Sequence, residues 1–185
     1  MKKLYTILLL ATSLFTTSCS DWLDVAPSNQ VNGDKLFEVG DGYRNALNGI
    51  YLNLGTSSMY GRTMSWGFMD AIAQYYKTDN GSNFIPKTSV YHKNSAYYKS
   101  AKFQFDDSDV KTFISNIWSI GYNNIANCNN LILNVSEASS SIFKEGEFEK
   151  NMIWGEALAL RAFIHFDLLR LFAPAISKDD GKSYI

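Results

Sequence analysis

Between residues 56 and 105 the chain sets Trp66, Tyr75, Tyr76, Tyr91, Tyr97 and Tyr98 among Asp70, Asn80 and Asn83. Flat rings offer apolar faces, and carboxylates and carboxamides bond hydroxyls directionally. Together these residue types suit a ligand with a flat apolar face and a polar rim. Eleven of these fifty positions are aromatic, and from 78 to 107 no core periodicity accounts for them. The nine named residues are therefore the candidate contact set. The competing reading is that the rings pack an irregular loop onto neighbouring helices. Consecutive tyrosines cannot both face one core, so the pairs 75–76 and 97–98 should each leave one ring outside it.

Other chemistry finds little to stand on. The sequence has no glycine-rich phosphate loop, no H-E-x-x-H, no C-x-x-C and no nucleophile elbow. Its two histidines, His92 and His165, lie far apart, and His165 reads as a packed or surface residue of a helix. Asp106-Asp107-Ser108-Asp109 resembles the start of a calcium loop, but Lys111 and Ile117 stand where Gly and Glu are required. Lys and Arg number 17 against 18 acidic residues, so no basic excess exists to hold nucleic acid. No enzyme activity, cofactor or metal is expected.

The elements that must position the candidate residues are helices. Hydrophobic residues at 46% and charged residues at 19% allow a core in a chain of 185 residues, enough for one domain. Leu36, Val39, Tyr43, Leu47, Ile50 and Leu54 predict one helix over 34–54, capped by Asp34 and ended at Gly55. A shorter helix is expected over 64–77, with Trp66, Met69, Ala73 and Tyr76 on one face. Phe103-Gln104-Phe105 alternates like a short strand. The acidic cluster at 106–109 is read as a cap. The helix it opens carries Val110, Ile114, Ile117, Gly121, Ile125, Cys128, Ile132 and Val135 as its stripe. Seven Asn between 116 and 134 make that helix dependent on packing.

A last helix is predicted over 147–172, with Ile153, Ala157, Leu160, Ile164, Leu168 and Leu171 on one face and Pro174 beyond its end. Gly155, Ala159 and Ala162 would admit a neighbouring helix closely. Asp167, off the stripe, is expected to face water. Glu156 and Arg161 are expected to pair with other helices. The tail after Pro174 reads like a chain cut in mid-course.

The first residues form an address. Lys2 and Lys3 precede an apolar run from Leu4 to Phe15, too short to span a bilayer but suited to a secretory signal. Thr17-Ser18-Cys19 follows and resembles a bacterial lipoprotein box, making 1–18 the signal peptide and 19–33 a lipidated tether. Cleavage there leaves 15 basic against 18 acidic side chains. Lipidation consumes Cys19 and leaves Cys128 a buried, inert thiol.

Two motifs on the last long helices carry a family resemblance. Trp118-x3-Tyr122-x2-Ile125-x2-Cys128-Asn129-x-Leu131-Ile132 resembles one helix of the SusD/RagB family. Gly155-Glu156-Ala157-x2-Leu160-Arg161-Ala162-x3-Phe166-Asp167-Leu168 is similar to another. Ser18-Cys19-Ser20-Asp21-Trp22-Leu23-Asp24 looks like the family's lipoprotein start, and Ala46-Leu47-x-Gly49-Ile50-Tyr51 like its first helix. The resemblance implies an all-α fold of tetratricopeptide-like hairpins with a long aromatic-rich loop, of which 34–185 would be the incomplete N-terminal domain. Ala162, Phe166 and Pro174 fit the spacing of a second repeat helix. It also implies a non-catalytic lipoprotein on the outer face of the outer membrane. Such a protein binds oligosaccharides and passes them to a SusC-like TonB-dependent transporter. A helical-repeat scaffold that binds another protein or peptide is the alternative.

Cys19 is expected to carry the lipid. Cells given a fatty-acid analogue should label the wild-type protein and not Cys19→Ala; equal labelling of both would remove the anchor.

Overall fold

The computed structural model describes residues 33–75, 95–174, 178 and 181. Among them there is helix and turn and no strand, so the fold is all-α. The order is α1 (Gly33–Leu36), α2 (Gly40–Leu54), α3 (Phe68–Ile72), α4 (Ala96–Ala101), α5 (Ser108–Glu137), a 3-10 turn (Ser140–Ile142) and α6 (Gly146–Phe172).

The single helix expected over 34–54 is two helices. Val39 is β-branched, extended at φ −132° and ψ 150°, and exposed. It interrupts the helix, and the next begins at Gly40. A side chain at Gly40 would strike the backbone of Ile142 and Phe143, 2.6 and 2.9 Å from a Cβ there. From that point the expected periodicity holds. Tyr43, Leu47, Ile50 and Leu54 are buried, and Gly55 ends the helix in an ordinary right-handed conformation.

Asp107 caps α5, its carboxylate accepting a 3.0 Å bond from the Asp109 N–H. Lys99 on α4 lies 2.8 Å from Asp107 and 3.1 Å from Asp109. Those bonds hold the Asp107 carboxyl below its usual range and the Lys99 ammonium above its own. The contact is therefore complete at neutral pH. It is lost in acid once pH falls through a value below 3.8, and in base once pH rises through one above 10.5.

α5 and α6 form an antiparallel hairpin. Trp118 meets Phe172, Gly121 meets Leu168, Asn129 meets Arg161, and the Ala138 carbonyl accepts from Lys150, so one number falls as the other rises. The expected stripes supply the seam: Val110, Ile117, Ile125, Cys128 and Val135 against Ile153, Ala157, Ile164 and Leu168, all buried. Ile114, Ile132, Leu160 and Leu171 are only partly buried at its margins. Burial pushes the Cys128 thiol up, away from the reactive thiolate. The residue that lets the helices approach is Gly121, where a Cβ would come within 3.0 Å of Leu168 Cδ2. Gly155, Ala159 and Ala162 are exposed, and a Cβ on Gly155 would meet nothing within 4 Å.

Elsewhere the local reading needs correction. The helix expected over 64–77 is only α3, and its buried face is Phe68 and Ala71, not Trp66 and Ala73. Phe103 adopts a left-handed φ of 55°, which rules out a strand through 103–105. The rings of Phe103 and Phe105 meet edge-on instead, 6.0 Å apart.

Leu168→Ala removes a side chain from the tightest part of the seam and should cost about 2–5 kcal/mol. Leu133→Ala, exposed on α5, should stay within about 0.5 kcal/mol. Denaturant titration of both checks the assignment, and equal losses would reverse it.

Candidate functional site

After α2 the chain turns tightly from 55 to 67 before entering α3. The buried Thr63 hydroxyl donates to the Ser57 carbonyl at 2.8 Å, and Ser65 to the Tyr60 carbonyl at the same distance. Gly67 sits where a Cβ would lie 2.8 Å from the Arg62 carbonyl oxygen, so the coil closes only around glycine. This coil and α3 form one wall of an open groove of about 650 Å³. The last three turns of α6 form the other.

The floor is a hydrogen-bonded chain. The Tyr60 hydroxyl donates to Asp167 Oδ2 at 2.7 Å, and Arg170 Nη1 donates to Asp167 Oδ1 at 3.1 Å. The Tyr60 ring lies 5.1 Å from that of Phe163, and the Arg170 guanidinium is 5.5 Å from the Phe166 ring centre. Burial first, then the bond to the Asp167 carboxylate, drives the Tyr60 phenol far above its ordinary range. It therefore stays a protonated donor, and Asp167 stays fixed between two donors. Asp167 thus ties α6 to the coil after α2 and is not the water-facing residue expected from its place off the stripe.

Of the nine candidate residues, the groove gathers three. Trp66 is 53% exposed and Tyr75 79%, and both line it with Asp70. Tyr97 is 6% exposed and packs its ring 4.9 Å from Phe113, which assigns it to the core. Tyr98 is half-buried beside Lys102 and is not part of the groove. Tyr76, Asn80, Asn83 and Tyr91 lie outside the described residues, as does Cys19. Met64, Ser65, Phe163 and Arg170 line the groove and went unmarked in the sequence. A second, apolar hollow of about 240 Å³ lies between Phe68, Ile72, Phe105, Ile114, Ile117, Leu171 and Phe172. Among the described residues no group of His, Cys, Asp or Glu is placed to hold a metal ion.

Two exposed rings over a wall of polar groups can stack on one ligand face and bond its edges. The fold and the groove together define an all-helical protein with a ligand-sized cleft. The chain belongs to the SusD-like family, whose model, described as "Starch-binding associating with outer membrane", matches residues 64–183. That stretch holds every groove residue except Tyr60. The chain is also similar to SusD-like protein P25 of Formosa agariphila, 24% identical over 158 residues, which are 85% of this chain. The chain spans only 28% of that relative's length. No solved structure gives a significant match. Among the described residues no helix is long and apolar enough to cross a membrane.

The family motifs now have physical roles. Glu156 lies 3.4 Å from Arg44 and accepts a 3.1 Å bond from the Tyr51 hydroxyl, tying α6 to α2. Arg161 donates to Asn129 at 3.0 Å, so the two motifs bond each other across the hairpin. Arg161 thus finds a carboxamide where an ion pair was expected.

Asp167→Ala strips the acceptor from Tyr60 and should cost about 1–3 kcal/mol by leaving the half-buried phenol without its bond. Tyr60→Phe should cost less, because no donor is left orphaned on that side. Thermal melts of both variants check the order, and a neutral Asp167→Ala would break the link.

Proposed function

We propose that this protein captures oligosaccharides at the outer membrane and hands them on without cleaving them. The observation that carries the reading is the groove, with Trp66 and Tyr75 exposed at its edge over Asp70 and the Tyr60–Asp167–Arg170 chain. An indole and a phenol set in the open are poorly placed for stability and well placed for the apolar face of a sugar ring. The family's starch-binding, outer-membrane description supports the same ligand class and location.

On this reading residues 1–18 are the signal peptide and Cys19 carries the lipid. Residues 19–33 form the tether, and the helical domain begins at 34 and faces the exterior. The partner is a SusC-like TonB-dependent transporter, which receives what the groove collects. No group here is asked to act as nucleophile or base, so the function is binding and delivery.

Trp66→Ala should weaken binding of the cognate glycan by about 1 kcal/mol, roughly five-fold, and leave the melting temperature unchanged. Tyr75→Ala should act in the same direction. Calorimetry of the full-length protein against starch-derived and other oligosaccharides measures both. Unaltered affinity in both variants would move the site elsewhere, and binding of peptides alone would replace the ligand class.

A further inference from the structure

Among the described residues two that are not glycine take a left-handed φ, Gln74 at 61° and Phe103 at 55°. Each stands just past the end of a short helix, Gln74 after α3 and Phe103 after α4. At α3 the Tyr75 N–H reaches back to the Asp70 carbonyl at 3.1 Å, and the Gln74 N–H to that of Ala71 at 3.2 Å. At α4 the Gln104 N–H bonds the Lys99 carbonyl at 3.0 Å, and the Phe103 N–H that of Ser100 at 2.9 Å. Such paired bonds close a helix through one left-handed residue, where glycine or asparagine is usual. Glutamine has neither glycine's freedom nor asparagine's short side chain, so what it brings to position 74 is reach. Its Nε2 donates to the carbonyl of Ala101, the last residue of α4, at 2.7 Å and to the Ala71 carbonyl at 3.2 Å. Carbonyls at a helix end lack partners within the helix. One carboxamide here serves the ends of two helices.

The next residue is Tyr75, whose ring lines the groove with Trp66 and Asp70. At 79% exposure the ring is held little by packing, so its direction is set by its backbone. That backbone is tied through its own N–H to Asp70 and through Gln74 to α4. Without the bond to Ala101, a left-handed glutamine is merely unfavourable. Its relaxation to an ordinary φ would swing the Tyr75 ring off the groove. A ring already aimed at its ligand loses less freedom on binding than one that must be ordered there. We propose that Gln74 is a positioning residue of the groove. Its carboxamide, bonded to the end of α4, holds the left-handed turn that points the Tyr75 ring at the ligand. The ligand's part in this rests on the reading of the groove given above, and the aiming of the ring does not.

The test follows the ring itself by fluorine NMR in the full-length protein, with a trifluoromethyl-phenylalanine in place of Tyr75 and, in a second sample, in place of Trp66. Gln74→Gly keeps the left-handed backbone and removes the bond to α4. Gln74→Glu keeps the shape of the side chain and removes both donors, and it carries the test if the glycine variant does not fold. In each variant the line from position 75 should narrow and move towards that of the free amino acid, while the line from position 66 stays in place. Gln74→Lys, which returns a donor to the Ala101 carbonyl, should bring the line from 75 back towards its original position. An unmoved line at 75, with a lowered melting temperature, would make Gln74 only a tie between α3 and α4 and overturn the proposal. Lines that move together at 66 and 75 would mean a general loosening of the wall and overturn it equally. Calorimetry without the label then reads the consequence for the ligand. Gln74→Gly should weaken binding of the cognate glycan by roughly two- to three-fold, less than loss of the ring itself. A line at 75 that moves while affinity holds would support the positioning of the ring and overturn its contact with the glycan.

Discussion

The contact on which the rest of the structure depends is the close approach of α5 and α6 at Gly121. Leu168 lies against a backbone bare of any side chain, which draws the two long helices together along their whole apolar seam. Everything described at the groove follows from that approach. Asp167 and Arg170 belong to the same turns of α6 as Leu168 and Leu171, so the seam fixes where the groove's second wall stands. α5 contains seven asparagines between 116 and 134 and would be a poor helix in water. Its order is conferred by α6.

Polar contacts then set which way the pieces fit, where hydrophobic burial sets only how strongly. Asn124 is fully buried in α5. It donates to the Ile120 carbonyl at 2.8 Å and accepts from Asn53 of α2 at 3.2 Å. A buried carboxamide left without partners is expensive, so a slip of α2 along α5 by one turn would be penalised at that point. Arg44, reaching both Glu149 and Glu156, fixes the same register against α6. These pairs are partly exposed and contribute modest energy individually. Their value lies in rejecting neighbouring alignments.

What could be read from the sequence was whatever a single helix records about itself. The stripes of α5 and α6, the cap at Asp107 and the burial of Cys128 are local patterns, and the structure has them. The start of α2 at Gly40 sits against the backbone of residues about a hundred positions later, a contact no local pattern encodes. Tyr97 looked like loop because α4 is one short turn and a half, too brief to show a period. Asp167 looked solvated because periodicity marks the face a helix turns to one neighbour and is blind to a second. The groove escaped for the same reason, since it joins residues 60–75 to 163–171. The aromatic richness of its first wall was visible, but the assignment of each ring to core or cleft was not.

The way the hairpin and α2 are joined also bears on the order in which the chain acquires structure. α5 and α6 are linked by the few residues from Ala138 to Glu145, so their pairing closes a small loop. Arg44 and Glu156 are 112 positions apart, and Tyr60 and Asp167 are 107. Loop-closure entropy favours the short connection, so the hairpin is the natural nucleus and α2 a late arrival that docks on a surface already made. For a chain that emerges N-terminus first, α2 and the turns after it must wait without a partner until α6 has appeared. The groove assembles late on this order, when the coil after α2 meets the end of α6.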